Sequence, residues 1–280
     1  MTADPGASGG RALRAPPAAR GRRAAALTVL AVALVGLAFS ASVVTTQLLP
    51  RQFTATQQRE IKGWEIASRW QQLPAGRIFP ATVAYQLSTA VLQDATPLSL
   101  QALRIGIAPQ SRCGTGVTTA AAAAVLLRDG CKAILRATYV DATRSYVMTV
   151  GVAVLASDTA AKSASQGLSQ PRLAVAHGIT GADGAAGMGA LDAGVRVVRF
   201  RGTAAGMYDY SRQISASFPD GPYLIMYAAG YADGRPRVPV AEDRYADAEM
   251  TSLAKGVALS VADTLGAQPP SPHCPGAPGC

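Results

Sequence analysis

Three aspartates near the ends of neighbouring predicted strands are the side chains in this sequence best suited to acid–base chemistry. Two carboxylates, one protonated and one ionised, can hydrolyse a glycosidic bond without a histidine. The candidates are Asp209, Asp220 and Asp233. Each of them also fits an ordinary turn or strand end, and no spacing singles out a pair. A carboxylate-dependent cell-wall hydrolase is therefore the alternative hypothesis, and we assign no catalytic residue.

The sequence has only two histidines, which limits nucleophilic catalysis and metal binding. His177 lies in a glycine-rich stretch, and any serine–histidine or cysteine–histidine system would depend on it. His273 and Cys274, with Cys280 beyond them, are three possible ligands for a soft metal ion in a proline- and glycine-rich tail. We interpret both histidines as solvated side chains and predict no metal and no cofactor.

Four arginines favour ligand binding over catalysis. Arg196, Arg199 and Arg201 lie in one predicted strand, and Arg212 lies in the next. Together they would form a basic face for an anionic wall polymer or for lipid headgroups. A solvated edge strand, protected by charge from aggregation, explains them as well. The glycine-rich stretch 176–194 directly precedes this strand, either as a mobile cover over a ligand or as a tolerated insertion.

The position of these residues relative to the membrane is set by an apolar, uncharged run. Residues 24–49 are long enough to cross a bilayer core of roughly 30 Å. Arginines are more frequent before this run than just after it, which places residues 1–23 in the cytoplasm as a basic, disordered terminus. A signal peptide cleaved near Ala38 and Ser40 would instead give a secreted protein. We favour the anchor because the uncharged run continues about ten residues past that site.

Composition bounds the remaining chain to a single exported domain. The 280 residues carry a net charge of +9 with 15% charged residues, and basic motifs interleaved with aromatic residues are lacking. Nucleic-acid binding is therefore not expected. We divide the exported part into a juxtamembrane helix at 50–75, an α+β domain at 76–266 and a disordered Pro/Gly/Cys tail at 267–280.

The juxtamembrane helix contains both tryptophans of the protein, Trp64 and Trp70. Apolar side chains recur every three residues from Ile61 to Leu73, with polar residues between them. The indole rings could rest at the membrane interface. We favour docking against the domain, because Trp64 lies about 14 residues beyond the apolar run.

Residues 113–155 form the predicted folding nucleus. An alanine-rich helix at 118–127 lies between Cys113 and Cys131, and Asp129-Gly130 ends it. Exported cysteines favour disulfides over zinc, because neither a neighbouring histidine nor a CxxC pair is present. We predict that Cys113 pairs with Cys131, which would contribute about 3 kcal/mol. Cys274 and Cys280 would pair with each other or with the body of the domain.

After Cys131 the apolar period changes to two, which predicts an antiparallel hairpin with its second strand at 147–155. Mixed hairpins and isolated helices favour an α+β fold, with an antiparallel sheet of five to seven strands and helices packed on one face. This domain follows one N-terminal transmembrane helix and the juxtamembrane helix. The other predicted strands are 82–87, 103–108, 195–201, 207–218 and 223–231, and the other predicted helices are 157–168 and 242–265.

The composition, the arginine-rich N-terminus before one anchor, and the segments RWQQLPAGRIFP, GCKAILRATYVD and TVGVAVL resemble the single-pass exported proteins of actinobacteria such as streptomycetes. The chain is more distantly similar to the disulfide-bearing extracellular sensor domains of actinobacterial Ser/Thr kinases. These resemblances imply an envelope location and an α+β fold. The resulting expectation is a non-catalytic, membrane-tethered extracytoplasmic domain that binds or senses an envelope protein, wall polymer or ligand.

Overall fold

The computed structural model describes the greater part of residues 53–267. The described residues are 53–87, 98–169, 194–207, 212–236, 238–239 and 242–267, together with 32–33. The predicted anchor, apart from 32–33, the basic N-terminus and nearly all of the glycine-rich stretch and the tail lie outside them. Within the described ranges, no helix is both long and apolar enough to cross a membrane. The elements below belong to one compact unit that begins at Ala55.

The described residues contain one curled antiparallel sheet in an α+β fold, as the sequence predicts. Its six strands are ordered β1-β2-β3-β4-β6-β5. The central hairpin and the β5–β6 hairpin join strands that neighbour each other along the chain. The strands are β1 (Thr82–Gln86), β2 (Ser99–Ser111), β3 (Ala133–Asp141), β4 (Tyr146–Val154), β5 (Arg212–Asp220) and β6 (Tyr223–Tyr231).

Six helices accompany this sheet in the part of the chain that is described. Two of them, α2 and α3, are single turns. The helices are α1 (Ala55–Gln72), α2 (Ala75–Ile78), α3 (Cys113–Gly116), α4 (Ala120–Arg128), α5 (Asp158–Ser169) and α6 (Arg244–Gly266).

Helices cover both faces of the sheet, and the prediction that they pack on one face was wrong. Along β4, the side chains of Met148, Val150 and Val152 join the hydrophobic cluster that contains α6. Val147 and Ala153 point the other way, into a cluster with α4 and α5. Because successive side chains of a strand alternate between faces, a strand that is apolar at every position needs a cover on each side. We call the α6 side the helix face.

The opposite side, which we call the strap face, contains the predicted disulfide. Cys113 and Cys131 are bonded, with an S–S distance of 2.03 Å. Between them, α4 begins at Thr119, whose side chain accepts a hydrogen bond from the Ala122 N–H at 3.1 Å. Gly130 ends the helix with a φ of +73°, a conformation that favours glycine. The nucleus therefore forms as its sequence predicts.

Residues 195–201 do not form the strand that their alternating pattern predicts. Residues 194–200, here called the strap, run extended across β4, β3 and β2 and make one isolated bridge, between Val195 and Val117. Val195 lies against Gly151 of β4, and Phe200 lies against Gly106 of β2. Alternation buries Val195 and Val197 and leaves Arg196 and Arg199 exposed, as it would in a strand. The pattern thus identifies which residues are buried but not what the backbone pairs with.

Helix α1 docks on the helix face, as we favoured for the juxtamembrane helix. Ile61 is buried, and Trp70 packs against the cluster that contains α6. The Tyr223 hydroxyl donates to the Ile66 carbonyl oxygen, and Arg69 Nη1 donates to the Leu265 carbonyl oxygen at 3.1 Å. These contacts join α1 to β6 and to the end of α6.

Candidate functional site

The predicted catalytic aspartates are not brought together. Asp220 is the last residue of β5 and pairs with Tyr223 at the start of β6, whereas Asp233 follows the end of β6. At about 3.3 Å per residue, the nine-residue strand between them separates the two carboxylates by roughly 30 Å. Glycoside hydrolysis by two carboxylates requires a separation of roughly 5–9.5 Å. Asp209 lies outside the described residues.

The environments of these two aspartates also differ. Burial, followed by the neighbouring charges of Asp263 and Asp158, raises the pKa of Asp220. Asp233 is exposed, and its bonds to Arg235, including an ion pair at 2.7 Å, lower its pKa. An acid and an ionised carboxylate are thus present, but at opposite ends of a strand. Among the described residues, no group of three or more His, Cys, Asp or Glu side chains is arranged to hold a metal ion.

A polar cavity of about 290 Å³ lies where the β3–β4 turn meets the end of β6 and the start of α6. The ring centroids of Tyr146 and Tyr231 are 5.9 Å apart, and the Tyr231 hydroxyl donates to Asp243 Oδ2 at 3.2 Å. The guanidinium of Arg235 lies 4.6 Å from the centre of the Tyr231 ring. Cross-strand pairing of Tyr146 with Tyr231 brings these residues together. The cavity could have been predicted only from the register between β4 and β6, and the spacing of residues in the sequence does not determine that register.

Tyr146, which lines this cavity, and its neighbour Glu249 both have raised pKa values. Burial is the main reason that the pKa of Tyr146 is raised to about 12, with Glu249 and Asp243 adding to it. Burial and the charge of Asp141 raise the pKa of Glu249, which also bonds to Tyr146. Asp141 is itself buried and accepts the main-chain N–H groups of Thr143 at 2.9 Å and Tyr146 at 2.7 Å. These bonds fix the turn and link it to α6, which is a structural role.

A wider, open groove of about 840 Å³ lies between β1 and α6. It is bordered by hydroxyl-bearing and small side chains of α6, by Lys255 and by the exposed Leu259. A groove of this composition suits surface contact better than catalysis.

The predicted arginines lie on the strap face, where two buried threonines hold the strap. Thr138 and Thr149 are directly opposite each other on β3 and β4, with their hydroxyls 3.0 Å apart. Thr138 donates to the Val198 carbonyl oxygen at 2.8 Å, and the Val198 N–H donates to the Thr149 hydroxyl at 3.2 Å. Because both threonines are fully buried, these bonds also satisfy hydroxyls that would otherwise be costly to bury.

The disulfide-closed segment holds the beginning of the strap. The Arg196 N–H donates to the Gly116 carbonyl oxygen at 2.9 Å, and the Thr118 N–H donates to the Gly194 carbonyl oxygen at 3.1 Å. Arg196 Nε donates to the Val117 carbonyl oxygen at 3.2 Å. The cystine at Cys113 and Cys131 therefore helps to position the Arg196 guanidinium.

Three of the four predicted arginines are neighbours along this segment, and the fourth lies apart. Arg196, Arg199 and Arg201 are exposed on or just after the strap. Arg212 is half-buried at the start of β5, which is separated from β4 by β6. Their role in binding an anion stays a prediction.

The structure adds a fifth arginine that the sequence analysis did not select. Arg136 of β3 lies under the strap, and its Nη1 donates to the Arg196 carbonyl oxygen at 3.2 Å. Burial, and then the positive charge of Arg196, lower the pKa of Arg136. The available signal was its place between Ile134 and Thr138 on one side of an apolar strand. A cation at such a position is unusual unless a partner is present.

Comparisons with protein-family models, curated proteins and solved structures found no match to this chain. The fold and the arginine-bearing strap are therefore the basis for considering function.

Proposed function

We propose that this protein is a non-catalytic, membrane-tethered extracytoplasmic domain that binds anionic components of the cell envelope. The proposed ligand surface, the arginine face, consists of Arg136, Arg196, Arg199 and Arg201. The resemblance to single-pass exported proteins and the apolar run at 24–49 support the tether and the location. The observation that carries the proposal is the row of exposed arginines on or just after a strap that is bonded at its beginning and in its middle, with Arg136 beneath it.

The bonding of these arginines supports a role in binding. Arg136 and Arg196 donate to main-chain carbonyl oxygens, which orient the guanidinium groups without cancelling their charge. Arg199 and Arg201 continue the positive surface in the exposed part of the segment. A fixed cluster of guanidinium groups attracts anions over a Debye length and contacts their oxygens in pairs. An anionic wall polymer and anionic lipid headgroups are both candidate ligands.

The hydrolase alternative is less well supported. Asp220 and Asp233 lie too far apart to act on one bond, and their pKa values are shifted in separate environments. A zymogram on purified wall tests it directly. Clearing that disappears in Asp209→Ala, Asp220→Ala or Asp233→Ala would favour the hydrolase over our proposal.

The test of the binding proposal is retention of the full chain, in neutral-lipid nanodiscs, on immobilised anionic wall polymer at low and high salt. The Arg199→Ser/Arg201→Ser variant should be retained roughly 2- to 30-fold more weakly at low salt, because two exposed charge contacts are lost. Its dependence on salt should also be smaller.

The matched control is Arg59→Ser/Arg244→Ser, which removes the same charge from exposed arginines of α1 and α6. It should retain most of the binding, because these arginines lie on helices of the other face. If both double variants lost retention equally, net charge alone would explain the effect. That result would overturn the assignment of the arginine face.

A further inference from the structure

The environment of Arg136 is poorly matched to a free guanidinium. The side chain is half-buried on β3 beneath the strap. Its Nε is covered and has no hydrogen-bond partner within the part of the chain that the structure describes. The neighbouring charge that acts on it most is another arginine, Arg196. The unbonded Nε and the repulsion from Arg196 both raise the free energy of the charged side chain, against one bond from Nη1 to the Arg196 carbonyl oxygen.

Placing the charged Arg136 side chain beside Arg196 in a partly buried position costs free energy. A partly buried cation loses hydration, and a second cation beside it adds repulsion that the low local dielectric strengthens. A covered N–H without a partner adds a further penalty. An apolar side chain would pack against the sheet at this position without any of these costs. The arrangement is therefore best explained by a partner that supplies negative charge.

The two guanidinium groups are held in place before any such partner arrives. Arg196 is fixed through its main chain to Gly116 and through Nε to Val117. The stem of Arg136 passes Gly151, where an added Cβ would lie 3.7 Å from Arg136 Cγ and 2.5 Å from Val195 Cγ2. The absence of a side chain at Gly151 thus leaves room for the strap to approach the sheet beside Arg136. Little conformational freedom remains to be lost on binding.

We infer that Arg136 and Arg196 together form a specific oxyanion site that recognises a phosphate group, as a monoester or a diester. This inference rests on the proposed function and names the group that the arginine face recognises. A tetrahedral phosphate offers several oxygens to two guanidinium forks at once and carries charge to offset both. A carboxylate has only two oxygens, which one fork already satisfies. Free phosphate, lipid headgroups and phosphate-containing polymers share this chemistry.

The first experiment measures the thermal unfolding of the full chain with increasing inorganic phosphate, against chloride at equal ionic strength. Phosphate should raise the midpoint by a few degrees in a saturable way, because it binds the folded state selectively. In Arg136→Met, which retains an apolar stem, this shift should disappear. The variant without phosphate should be as stable as the wild type or more stable, because an uncompensated cation is removed.

The matched control is Arg104→Met, which changes a half-buried arginine of the neighbouring strand β2. Arg104 Nη1 donates to the Phe79 carbonyl oxygen on the helix face. This variant should be less stable than the wild type and should keep the phosphate-dependent shift. Any general salting effect of phosphate would persist in all three proteins. A shift that survives in Arg136→Met, or that chloride reproduces, would overturn the inference.

Two further arms separate the sources of phosphate and the two levels of the proposal. In these arms, vesicles containing phosphatidylglycerol or soluble glycerol phosphate are added to the protein. We then measure whether either one reduces the rise in unfolding midpoint that inorganic phosphate produces. Competition by both assigns the site to the phosphate group itself, and competition by neither would overturn it. If Arg199→Ser/Arg201→Ser weakens retention on polymer but the wild type lacks a phosphate shift, this inference fails and the proposed function stands.

Discussion

The two faces of the sheet are covered by different means. On the helix face, one helix of 23 residues lies across the strands and contributes nine buried side chains. On the strap face, two shorter helices, a disulfide and an extended segment share the surface. The first cover is held by apolar contacts along its length, whereas the second combines a hydrophobic cluster under two helices with a few directed bonds to the strap.

This difference suggests a division of roles, in which the helix face mainly stabilises the fold and the strap face positions charged groups for recognition. Apolar contacts are non-directional and accumulate with area, so they stabilise a fold without fixing one side chain closely. Buried hydroxyls and a cystine, in contrast, determine where Val198 and Arg196 must lie. The face that adds directed bonds to its apolar core is therefore better suited to hold charged groups in a set geometry. The following predictions test this division in order of decreasing effect.

The helix face should be the most sensitive to a loss of volume. Leu253 of α6 is fully buried in its cluster. Leu253→Ala should lower the free energy of unfolding by about 2–5 kcal/mol, because the surrounding residues cannot fill the space. Urea unfolding of the full chain measures this loss, and the phosphate-dependent shift should remain.

The control is Leu259→Ala on the same helix, where the side chain is 43% exposed. It should cost about 0.5 kcal/mol or less. If Leu253→Ala abolished the phosphate shift while the protein remained folded, the proposed division between the two faces would be wrong.

Removal of the disulfide should affect both stability and binding. Cys113→Ser/Cys131→Ser opens a loop with a sequence separation of 18 and should cost about 3 kcal/mol. Phosphate binding should weaken as well, because the Val117 carbonyl oxygen is no longer held beside Arg196. Denaturant unfolding and the phosphate titration measure the two effects.

The same double substitution at Cys274 and Cys280 serves as the comparison. Any bridge between these two residues would span only six positions, so its loss should cost less than that of the Cys113–Cys131 bridge. Phosphate binding that is unchanged in Cys113→Ser/Cys131→Ser would show that the cystine does not position the strap.

Thr149→Val should release the middle of the strap. The Val198 N–H would lose its hydroxyl acceptor, and Thr138 would lose its opposite partner. An unsatisfied buried donor costs about 1–3 kcal/mol, so stability should fall by that amount. Amide hydrogen exchange of residues 194–200 should rise at the same time.

Thr115→Val is the matched control, because the Thr115 hydroxyl donates to the Arg112 carbonyl oxygen at 3.1 Å in an exposed position. Its effect should lie within about 0.5 kcal/mol. Similar losses of stability in the two valine variants would mean that the buried Thr149 hydroxyl contributes no more to stability than the exposed Thr115 hydroxyl.

The smallest expected effect concerns the pH dependence of Glu249 near the start of α6. Because burial and Asp141 raise its pKa above the ordinary value of 4.5, the folded state binds the proton more tightly. This contribution to stability is present below pH 4.5 and is lost as pH rises through the folded pKa. Glu249→Gln should therefore flatten that decline and gain stability relative to the wild type at neutral pH.

Melting temperatures between pH 4 and pH 8 measure the change, with Glu242→Gln at an exposed position as the control. The Glu242 variant should follow the wild-type profile. Parallel profiles for Glu249→Gln and the wild type would refute the prediction.

Local patterns were sufficient for the elements whose partners are near in sequence. The β3–β4 hairpin, the β5–β6 turn and the disulfide are formed by residues close along the chain, so alternation and turn residues determine them. The 103–108 prediction was too short, because β2 runs over Ser99–Ser111 with register shifts on both sides of Gly106. Of the predicted strand 207–218, residues 208–211 lie outside the described residues, and β5 covers Arg212–Asp220.

The strap shows where alternation fails. Its pattern is that of a strand, because one side of the segment is buried and the other is exposed. Whether an extended segment pairs with a sheet edge or crosses a sheet face depends on what that face offers. Here Thr138 and Thr149 provide hydroxyls, and Gly151 and Gly106 provide space. None of these four residues is near the strap in sequence.

By itself, the sequence determined the fold class, the hairpins, the Cys113–Cys131 bridge and the list of candidate arginines. These features depend on propensity, alternation and short loops, whose energies are local. Only the tertiary structure decided that both faces are covered, that Asp220 and Asp233 are separated, and that Arg136 lies beside Arg196. Such outcomes depend on contacts between residues far apart in the chain, where the entropy of loop closure differs little from one distant partner to another and packing selects the partner.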